Sequence, residues 1–269
     1  MAPRVSIGRY IAADSPIHRL DPRVKLVLAL AFMVSCFFVH SAATLALAAA
    51  AIVLAIRLSH VSLLDLLGQL KPVALFLVIT SVINLFFVHT GALVFALGPI
   101  QVHIGGIEAA LLYTLRFFLL LLAGSLLTLT TTPTAITDAA GKLLAPLERL
   151  GAPVNQATLI LSIALRFVPT LSQEAENIVA AQTARGADLE GKGALAYARA
   201  CVPLIVPLFA SALRHAENLG RAMDARCYTA NPNRTHYHVM RFALARDGAA
   251  IAVFAAYLVA LVALSVAGL

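Results

Sequence analysis

Two arginines with matching neighbours are the residues of this chain best suited to binding another protein. Ala184-Arg185-Gly186 and Ala225-Arg226-Cys227 each close a long, mostly apolar helical pattern. A guanidinium offers five donors in a planar fork, which pairs with a carboxylate through two parallel hydrogen bonds. Two such ends predict a pair of docking tips. A helix C-terminus also favours a cation through its dipole, by about 0.3–1 kcal/mol, so a purely structural role for either arginine stays open.

Two long helices must position these tips. The pattern predicts one helix over residues 154–184, interrupted by Pro169, and a second over residues 194–223, with Pro203 and Pro207 in its apolar centre. Their apolar centres span about 8 and 13 residues, whereas crossing a bilayer takes roughly 20. We therefore expect two packed rods of roughly 45 Å that lie beneath the membrane and partly against it.

Composition predicts an all-α integral membrane protein. Hydrophobic residues make up 61% of the 269 residues and charged residues 12%, against about 45–50% and about 25% in soluble proteins. Five apolar runs fit about five transmembrane helices. Because the first two runs share a tight turn at His40-Ser41, a version in which one of them is tilted or incomplete stays open. The runs lie at 26–39, 42–56, 73–88, 109–129 and 249–266.

The lysines and arginines predict the orientation. All but one of the 20 basic residues fall before the first run, between the second and third, or between the fourth and fifth. By the positive-inside rule these regions are cytoplasmic, with the N-terminus inside and the C-terminus outside. The net charge of +7 then reflects topology and does not indicate nucleic-acid binding. The predicted parts are a cytoplasmic N-terminal segment 1–25, transmembrane helices 1–4 over 26–131, cytoplasmic coupling helices over 132–246, and a last transmembrane helix over 247–269.

The remaining basic residue, Arg116, lies inside the predicted fourth span. A charge at that depth costs a few kcal/mol, so we expect it to face other helices or a polar partner. Two interpretations stay open. The side chain either snorkels to the outer end of its helix, near Glu108, or orients the helices against a partner membrane protein.

Other candidate sites are weak, and they favour a chain without enzymatic activity, cofactor or metal. Residues 186–192 have the GxxxxGK spacing of a phosphate-binding loop, but they follow a helix, contain two acids, and lack the Ser or Thr that holds magnesium. The three cysteines show no paired spacing. His236 and His238 could in principle bind a metal, but we interpret them as residues of a solvated or interfacial loop. The N-terminal segment has no short apolar region with a cleavage site, so we expect no removable signal peptide.

Several motifs in a fixed order give the chain a family resemblance. They are the run from Ser15-Pro16 to Lys25, Thr131-Thr132-Pro133, Leu165-Arg166-Phe167-Val168-Pro169, and the two Ala-Arg tips. Together they resemble the transmembrane (T) component of energy-coupling factor transporters, and the match covers essentially the whole chain.

The resemblance implies a subunit that joins two cytoplasmic ABC-type ATPases to a small membrane-embedded substrate-binding (S) component. It further implies that each tip inserts into a groove on one ATPase. The first tip, Ala184-Arg185-Gly186, is a full match. In the second, Ala225-Arg226-Cys227, cysteine replaces the family's glycine. Because glycine usually makes the left-handed turn after a helix, we expect this turn to differ or the helix to run further.

Several further residues are candidates for coupling or structural roles. Arg19, Asp21 and Pro22 either begin the first helix, with the proline near its first turn, or brace the coupling helices as the family resemblance implies. Arg166 is expected to bind a carboxylate or carbonyl groups within the rod bundle. The prolines at 169, 203 and 207 belong to the same predicted rods.

The function that follows is the coupling subunit of an ATP-driven importer of a micronutrient, a vitamin or a transition-metal ion, in the bacterial inner membrane. In such systems the cargo binds to another chain, so this sequence does not identify it. The alternative is a self-contained secondary transporter or channel. That class uses ionisable residues near the membrane midplane and often internal repeats, and neither is found. A scaffold without transport is a weaker alternative.

Overall fold

The chain forms two compact units. A computed structural model describes residues 10–11, 13–97, 100–186, 194–229 and 242–267. We call Gly8–Lys142 together with His238–Leu269 the bundle unit, and Met1–Ile7 together with Leu143–Tyr237 the tip unit.

Helices dominate the bundle unit. α1 is the shortest of its apolar helices, and a two-stranded antiparallel hairpin, β1–β2, precedes α4. The hairpin occupies the stretch between the third and fourth predicted spans. The elements are α1 (Pro22–Cys36), α2 (Ala42–Ser59), α3 (Leu63–Phe87), β1 (Leu93–Leu97), β2 (Ile100–His103), α4 (Ile104–Thr130), α5 (Pro133–Leu144) and α8 (Leu244–Val266).

Local sequence sets where α1 begins. The carboxylate of Asp21 accepts the backbone N–H of Arg23 at 2.9 Å, and Pro22 occupies the first turn, where its missing N–H is not needed. α1 then runs for 15 residues, about 22 Å, which is less than the roughly 30 Å of a bilayer core. The apolar run continues beyond the end of the helix through residues 37–39.

Five helices of the described chain are long and apolar enough to cross a membrane: α2, α3, α4, α6 and α8. The number agrees with the prediction, but the set differs: α1, with 15 residues, is shorter than these helices, and α6 (Val154–Ala184) is among them. α3 starts at Leu63, ten residues before the predicted run, and so includes Lys71, which was predicted to lie between the second and third runs. The hydroxyl of Ser62 accepts the N–H of Leu64 at 3.2 Å and caps this earlier start.

The core of the bundle unit lies around α4, which contacts α1, α2 and α3. Aliphatic side chains fill it, such as Leu66 of α3 and Leu129 of α4, which are 0% and 1% exposed. The outward faces are apolar as well: Leu75 is 71% exposed, Phe87 77% and Val259 70%. Large exposed hydrophobic surface of this kind is expected where lipid takes the place of water. The chain is a multi-pass membrane protein.

Two glycines allow the start of α4 to approach the end of α3. A Cβ on Gly106 would lie 2.7 Å from the carbonyl oxygen of Leu85, and one on Gly105 would lie 2.1 Å from the hydroxyl of Thr90. Neither distance is sterically possible, so only glycine fits here.

The tip unit consists of a 3₁₀ helix (Ala145–Leu150), α6 (Val154–Ala184) and α7 (Ala194–Ala225). The bounds of α6 are those predicted, and α7 is two residues longer than predicted. Both helices are continuous through their prolines. The carboxylate of Glu148 accepts the N–H of Asn155 at 2.9 Å and so satisfies one of the free donors where α6 begins.

Candidate functional site

The first tip ends α6 in a left-handed turn. Ala184 is the last helical residue, Arg185 is the C-cap, and Gly186 has φ +86°. The N–H of Gly186 donates to the carbonyl of Thr183 at 2.9 Å. This bond satisfies a carbonyl that has no partner within the helix.

The second tip ends α7 in the same way. Ala225 is the last helical residue, and Cys227 has φ +53°. The N–H of Cys227 donates to the carbonyl of Asp224 at 2.9 Å, and the N–H of Tyr228 donates to that of Met223 at 3.0 Å. These are the two bonds of a Schellman motif. The expectation that cysteine would change this turn or lengthen the helix is wrong, because Cys227 adopts the left-handed conformation itself.

Both tip arginines are available for binding. All six residues of the two tips are exposed. Neither Arg185 nor Arg226 forms an ion pair or a side-chain hydrogen bond with any residue that the structure describes. Within those residues, two guanidinium groups are therefore presented to solvent at the ends of two helices.

A polar cluster joins α6 to α7. The carboxylate of Glu174 accepts a hydrogen bond from the hydroxyl of Ser211, which is buried, and its other oxygen lies 3.2 Å from Nε2 of His215. The rings of Phe167 and His215 have their centroids 5.9 Å apart. This cluster was not identified from the sequence.

The cluster lies at the same distance along each helix from the tip arginine. Glu174 precedes Arg185 by eleven residues, and His215 precedes Arg226 by eleven. At 1.5 Å per residue, each tip arginine stands about 16 Å beyond the cluster. The two arms therefore have equal length.

One face of α7 is apolar and exposed. Its side chains recur at helical spacing and are between 50% and 65% exposed, whereas Ser211, on the face toward α6, is buried. Spacings of three and four residues put them on one stripe of the helix. We call this set the α7 stripe: Val202, Ile205, Val206, Phe209 and Leu213.

Asp21, a candidate coupling residue, belongs to a buried polar network in the bundle unit. Its N–H donates to the carboxylate of Asp247 at 3.0 Å, and Asp247 also accepts the N–H of Ala243 at 2.7 Å. The ammonium of Lys25 donates to the carbonyls of His18 and Thr130 at 3.0 and 3.1 Å. The network ties the starts of α1 and α8 to the end of α4.

Asp247 is a residue that sequence reasoning missed. It is 0% exposed although it lies at the start of the last apolar helix. An acid two residues before the last predicted apolar run was the available signal, but only basic residues enter the topology rule.

Arg19 lies apart from the network. Its guanidinium donates to both carboxylate oxygens of Asp14, at 2.6 and 2.5 Å, and both side chains are exposed. The hydrogen bond from Arg19, with its charge, holds the pKa of Asp14 below its usual range. An exposed pair of this kind contributes little to stability.

Arg116 has a polar partner within the bundle unit. Its guanidinium donates to the carbonyl of Val39, just beyond the end of α1, and lies 5.1 Å above the ring of Tyr113. Carbonyl groups at a helix C-terminus carry partial negative charge, which suits a cation. The contact joins α4 to the turn between α1 and α2. Glu108 is not its partner among the described residues.

The remaining candidates lie in the tip unit or outside the described residues. Arg166 is exposed and has no carboxylate partner among the described residues. Pro169 and Pro203 are exposed and Pro207 is half-buried, all within continuous helices. The GxxxxGK motif beyond Gly186 lies outside the described residues, as do His236 and His238. Within the described part, no group of three or more His, Cys, Asp or Glu side chains is placed to hold a metal ion.

Comparisons with known proteins give one consistent result. A family model, CbiQ, described as cobalt transport protein, matches residues 13–237. The energy-coupling factor transporter transmembrane protein EcfT of Thermosediminibacter oceani is 40% identical over 248 residues, 92% of this chain and 93% of that protein. EcfT of Bacillus subtilis is 40% identical over 231 residues, 86% of this chain and 87% of that protein.

A third relative is much longer. A protein of Bifidobacterium longum, named as an ABC transporter ATP-binding protein, is 44% identical over 252 residues. These residues are 94% of this chain and 32% of that protein. The chain therefore spans about a third of that relative's length.

Proposed function

Because this chain belongs to the CbiQ family and is a T component of energy-coupling factor transporters, we propose that it couples two ATPases to the uptake of a micronutrient. The observation that supports this best is the pair of matching arginine tips, on arms of equal length that meet at one polar cluster. The chain is a transport subunit without a catalytic role of its own. ATP hydrolysis belongs to its partners.

Each tip is proposed to dock on one ATPase subunit. An exposed arginine at a fixed turn is already oriented for a bidentate bond to a carboxylate, so binding orders few further groups. The longer relative supports ATPase partners, since it is named as an ATP-binding protein and this chain matches only 32% of it. We infer that the ATP-binding part of that relative lies in its remaining length.

The tip unit is proposed to lie in the cytoplasm of a bacterium, beneath the inner membrane, with the N-terminus inside and the C-terminus outside. The distribution of basic residues supports this orientation. α6 is apolar enough to span a membrane, but its partner α7 carries Arg214, Glu217, Arg221 and Asp224 in its last turns. Helices joined by a polar cluster share one medium, so both are assigned to the coupling region outside the bilayer.

The α7 stripe is proposed to contact the S component. Five large apolar side chains on one face, each at least half exposed, are costly in water and typical of a protein or membrane contact. A membrane-embedded partner offers apolar helix surface of the same kind. The stripe and the second tip lie on one helix, so a partner on the stripe is joined rigidly to an ATPase on the tip.

Coupling follows from this arrangement. When the two ATPases approach or separate, each moves the end of an arm about 16 Å from the polar cluster. Because Glu174 bonds to both Ser211 and His215, the arms turn about this point, and the α7 stripe turns with them. Such motion of packed helices is a recognised way of transmitting a conformational change. The cargo, a vitamin or a transition-metal ion, binds to the S component.

Substitution of the tip arginines tests the proposal. We expect Arg185→Ala and Arg226→Ala each to weaken ATPase binding by about 30-fold or more, since an arginine at the centre of an interface contributes about 2 kcal/mol or more. The double variant is expected to abolish transport while the chain still inserts into the membrane. Copurification of the ATPases from membranes and uptake into cells are the measurements.

Arg221→Ala is the matched control. Arg221 is an exposed arginine on α7, five residues before Arg226, in an ion pair with Glu217 at 3.8 Å. Its loss should leave ATPase binding unchanged. Arg→Lys at either tip keeps the charge but not the planar fork, and it should bind the ATPases more weakly than wild type. Copurification of the ATPases with the double variant at the wild-type level would contradict the proposal.

The alternative, a self-contained carrier or channel, makes the opposite prediction in vesicles. If the chain is a coupling subunit, vesicles that contain it alone should not accumulate solute. Accumulation would favour the alternative over the coupling role.

A further inference from the structure

We propose that the bundle unit binds one anionic phospholipid in a groove between α1, α2, α4 and α8, with the phosphate against Lys25 and Arg246. The groove is a cavity of about 440 Å³ lined by these four helices and by the segment that precedes α1. The site lies entirely within the bundle unit and does not involve the tips. It therefore goes beyond the coupling function.

The groove has the length of one leaflet. On α8 its lining runs from Arg246 to Tyr257, eleven residues or about 16 Å, and half of a bilayer core is about 15 Å. Phe32 and Tyr257 line the deep end, where their ring centroids are 5.7 Å apart. An acyl chain that enters beside Arg246 reaches these rings near the middle of the bilayer.

The wall of the groove suits a hydrocarbon chain because its polar groups are already paired. The hydroxyl of Tyr257 bonds to that of Ser35 at 2.9 Å. The hydroxyl of Thr130 donates to the carbonyl of Leu126 at 2.8 Å. An apolar ligand would therefore leave neither of these hydroxyls without a partner.

The mouth of the groove suits an anion. The ammonium group of Lys25 has three N–H donors, of which two donate to backbone carbonyls. The third is left for a ligand. The side chain of Arg246 is 40% exposed, and its Nε lies 3.9 Å from Asp247. Asp21, bonded to Asp247 through its N–H, adds a second carboxylate, and Arg23 lies 4.0 Å from Asp21. Three cations and two carboxylates leave a net positive charge here, at the same end of the bundle where α1 and α8 begin.

The groove is open to the bilayer. Leu54, Leu58 and Val253 line it and are 49%, 44% and 59% exposed. A lipid can therefore enter sideways from the leaflet. A free phosphate would fill only the mouth and leave the apolar wall uncovered. The long apolar wall with cations at one end matches a phospholipid, and in the proposed orientation it lies in the cytoplasmic leaflet.

Lipid retention by the full-length chain tests the site. The chain is reconstituted into phosphatidylcholine vesicles with a minority of phosphatidylglycerol, extracted in mild detergent, and analysed by native mass spectrometry. We expect one retained phosphatidylglycerol, in excess over its share of the vesicle lipid. Arg246→Gln should lower this preference about five-fold, the effect of one basic residue beside an anionic membrane.

Two control variants separate the groove from general attraction. Arg57→Gln removes an exposed charge at the same end of α2, where Arg57 lines a different cavity, and it should keep the preference. Val253→Trp fills the groove and should abolish retention. Val259→Trp, on the same helix but outside the lining and 70% exposed, should not.

Three results would overturn the proposal. They are equal retention of both lipids by the wild type, equal losses in Arg246→Gln and Arg57→Gln, and unchanged retention in Val253→Trp. Loss of the lipid when the S component assembles with the chain would assign the groove to that partner instead. The measurement needs no ATPase, so its failure is separate from a failure of tip docking.

Discussion

The two tips reach one geometry with different residues. Gly186 turns the chain with φ +86° after α6, and Cys227 does so with φ +53° after α7. In both, the N–H of the left-handed residue bonds to the carbonyl three positions before it, at 2.9 Å. A residue with a Cβ pays about 1–2 kcal/mol for this conformation, whereas glycine adopts it freely.

The comparison shows that hydrogen bonds at the helix end, and not the residue type alone, determine the tip. At Cys227 the second bond, from Tyr228 to Met223, helps to hold the strained turn. The position of the arginine relative to the end of its helix is therefore the same at both tips.

The largest expected effect comes from breaking the contact that both arms share. Glu174→Ala leaves the buried Ser211 hydroxyl without its acceptor, which costs about 1–3 kcal/mol. Both arms lose their common support, so we expect ATP-driven uptake to fall at least about ten-fold while both tips still bind the ATPases. Uptake and copurification are measured together.

Glu176→Ala is the control for this variant, since Glu176 is exposed on the same helix. Full uptake by Glu174→Ala, or loss of ATPase binding at one tip only, would show that the cluster is not a common support.

Alanine at the left-handed position should distinguish the tips. Gly186→Ala adds a Cβ in open space but forces alanine into φ +86°. We expect ATPase binding through that tip to weaken about five- to thirty-fold, as the 1–2 kcal/mol cost implies. Cys227→Ala should change binding little, because the cysteine already carries this cost. Equal effects in a binding titration would contradict the comparison.

The smallest effect is expected from making the tips alike. Cys227→Gly removes the strain but adds freedom to the unfolded chain, so the gain should be below about 1 kcal/mol. Thermal unfolding and ATPase titration measure it. Weaker ATPase binding would instead mean that the exposed thiol itself contacts the partner.

Much of the fold was predictable because helices leave local signals. The bounds of α6 follow from its periodicity, and the end of α4 lies within one residue of the end of its apolar run, although the helix begins five residues before that run. The start of α3 was misplaced, since Lys71 was counted among the loop residues, whereas the helix includes both Lys71 and Pro72. For the tips, their residues were predictable but the left-handed conformation of Cys227 was not, because cysteine rarely adopts it.

The sequence by itself determined the class of protein, since a chain with 61% hydrophobic residues has too much apolar surface for water, and it determined where the two arginines end their helices. Only the tertiary structure decided the partners of the charged residues within the bundle unit. Asp21 meets Asp247 across 226 positions, and Arg116 meets Val39 across 77. Periodicity and charge counts report each helix separately, whereas these contacts depend on how the helices pack against one another.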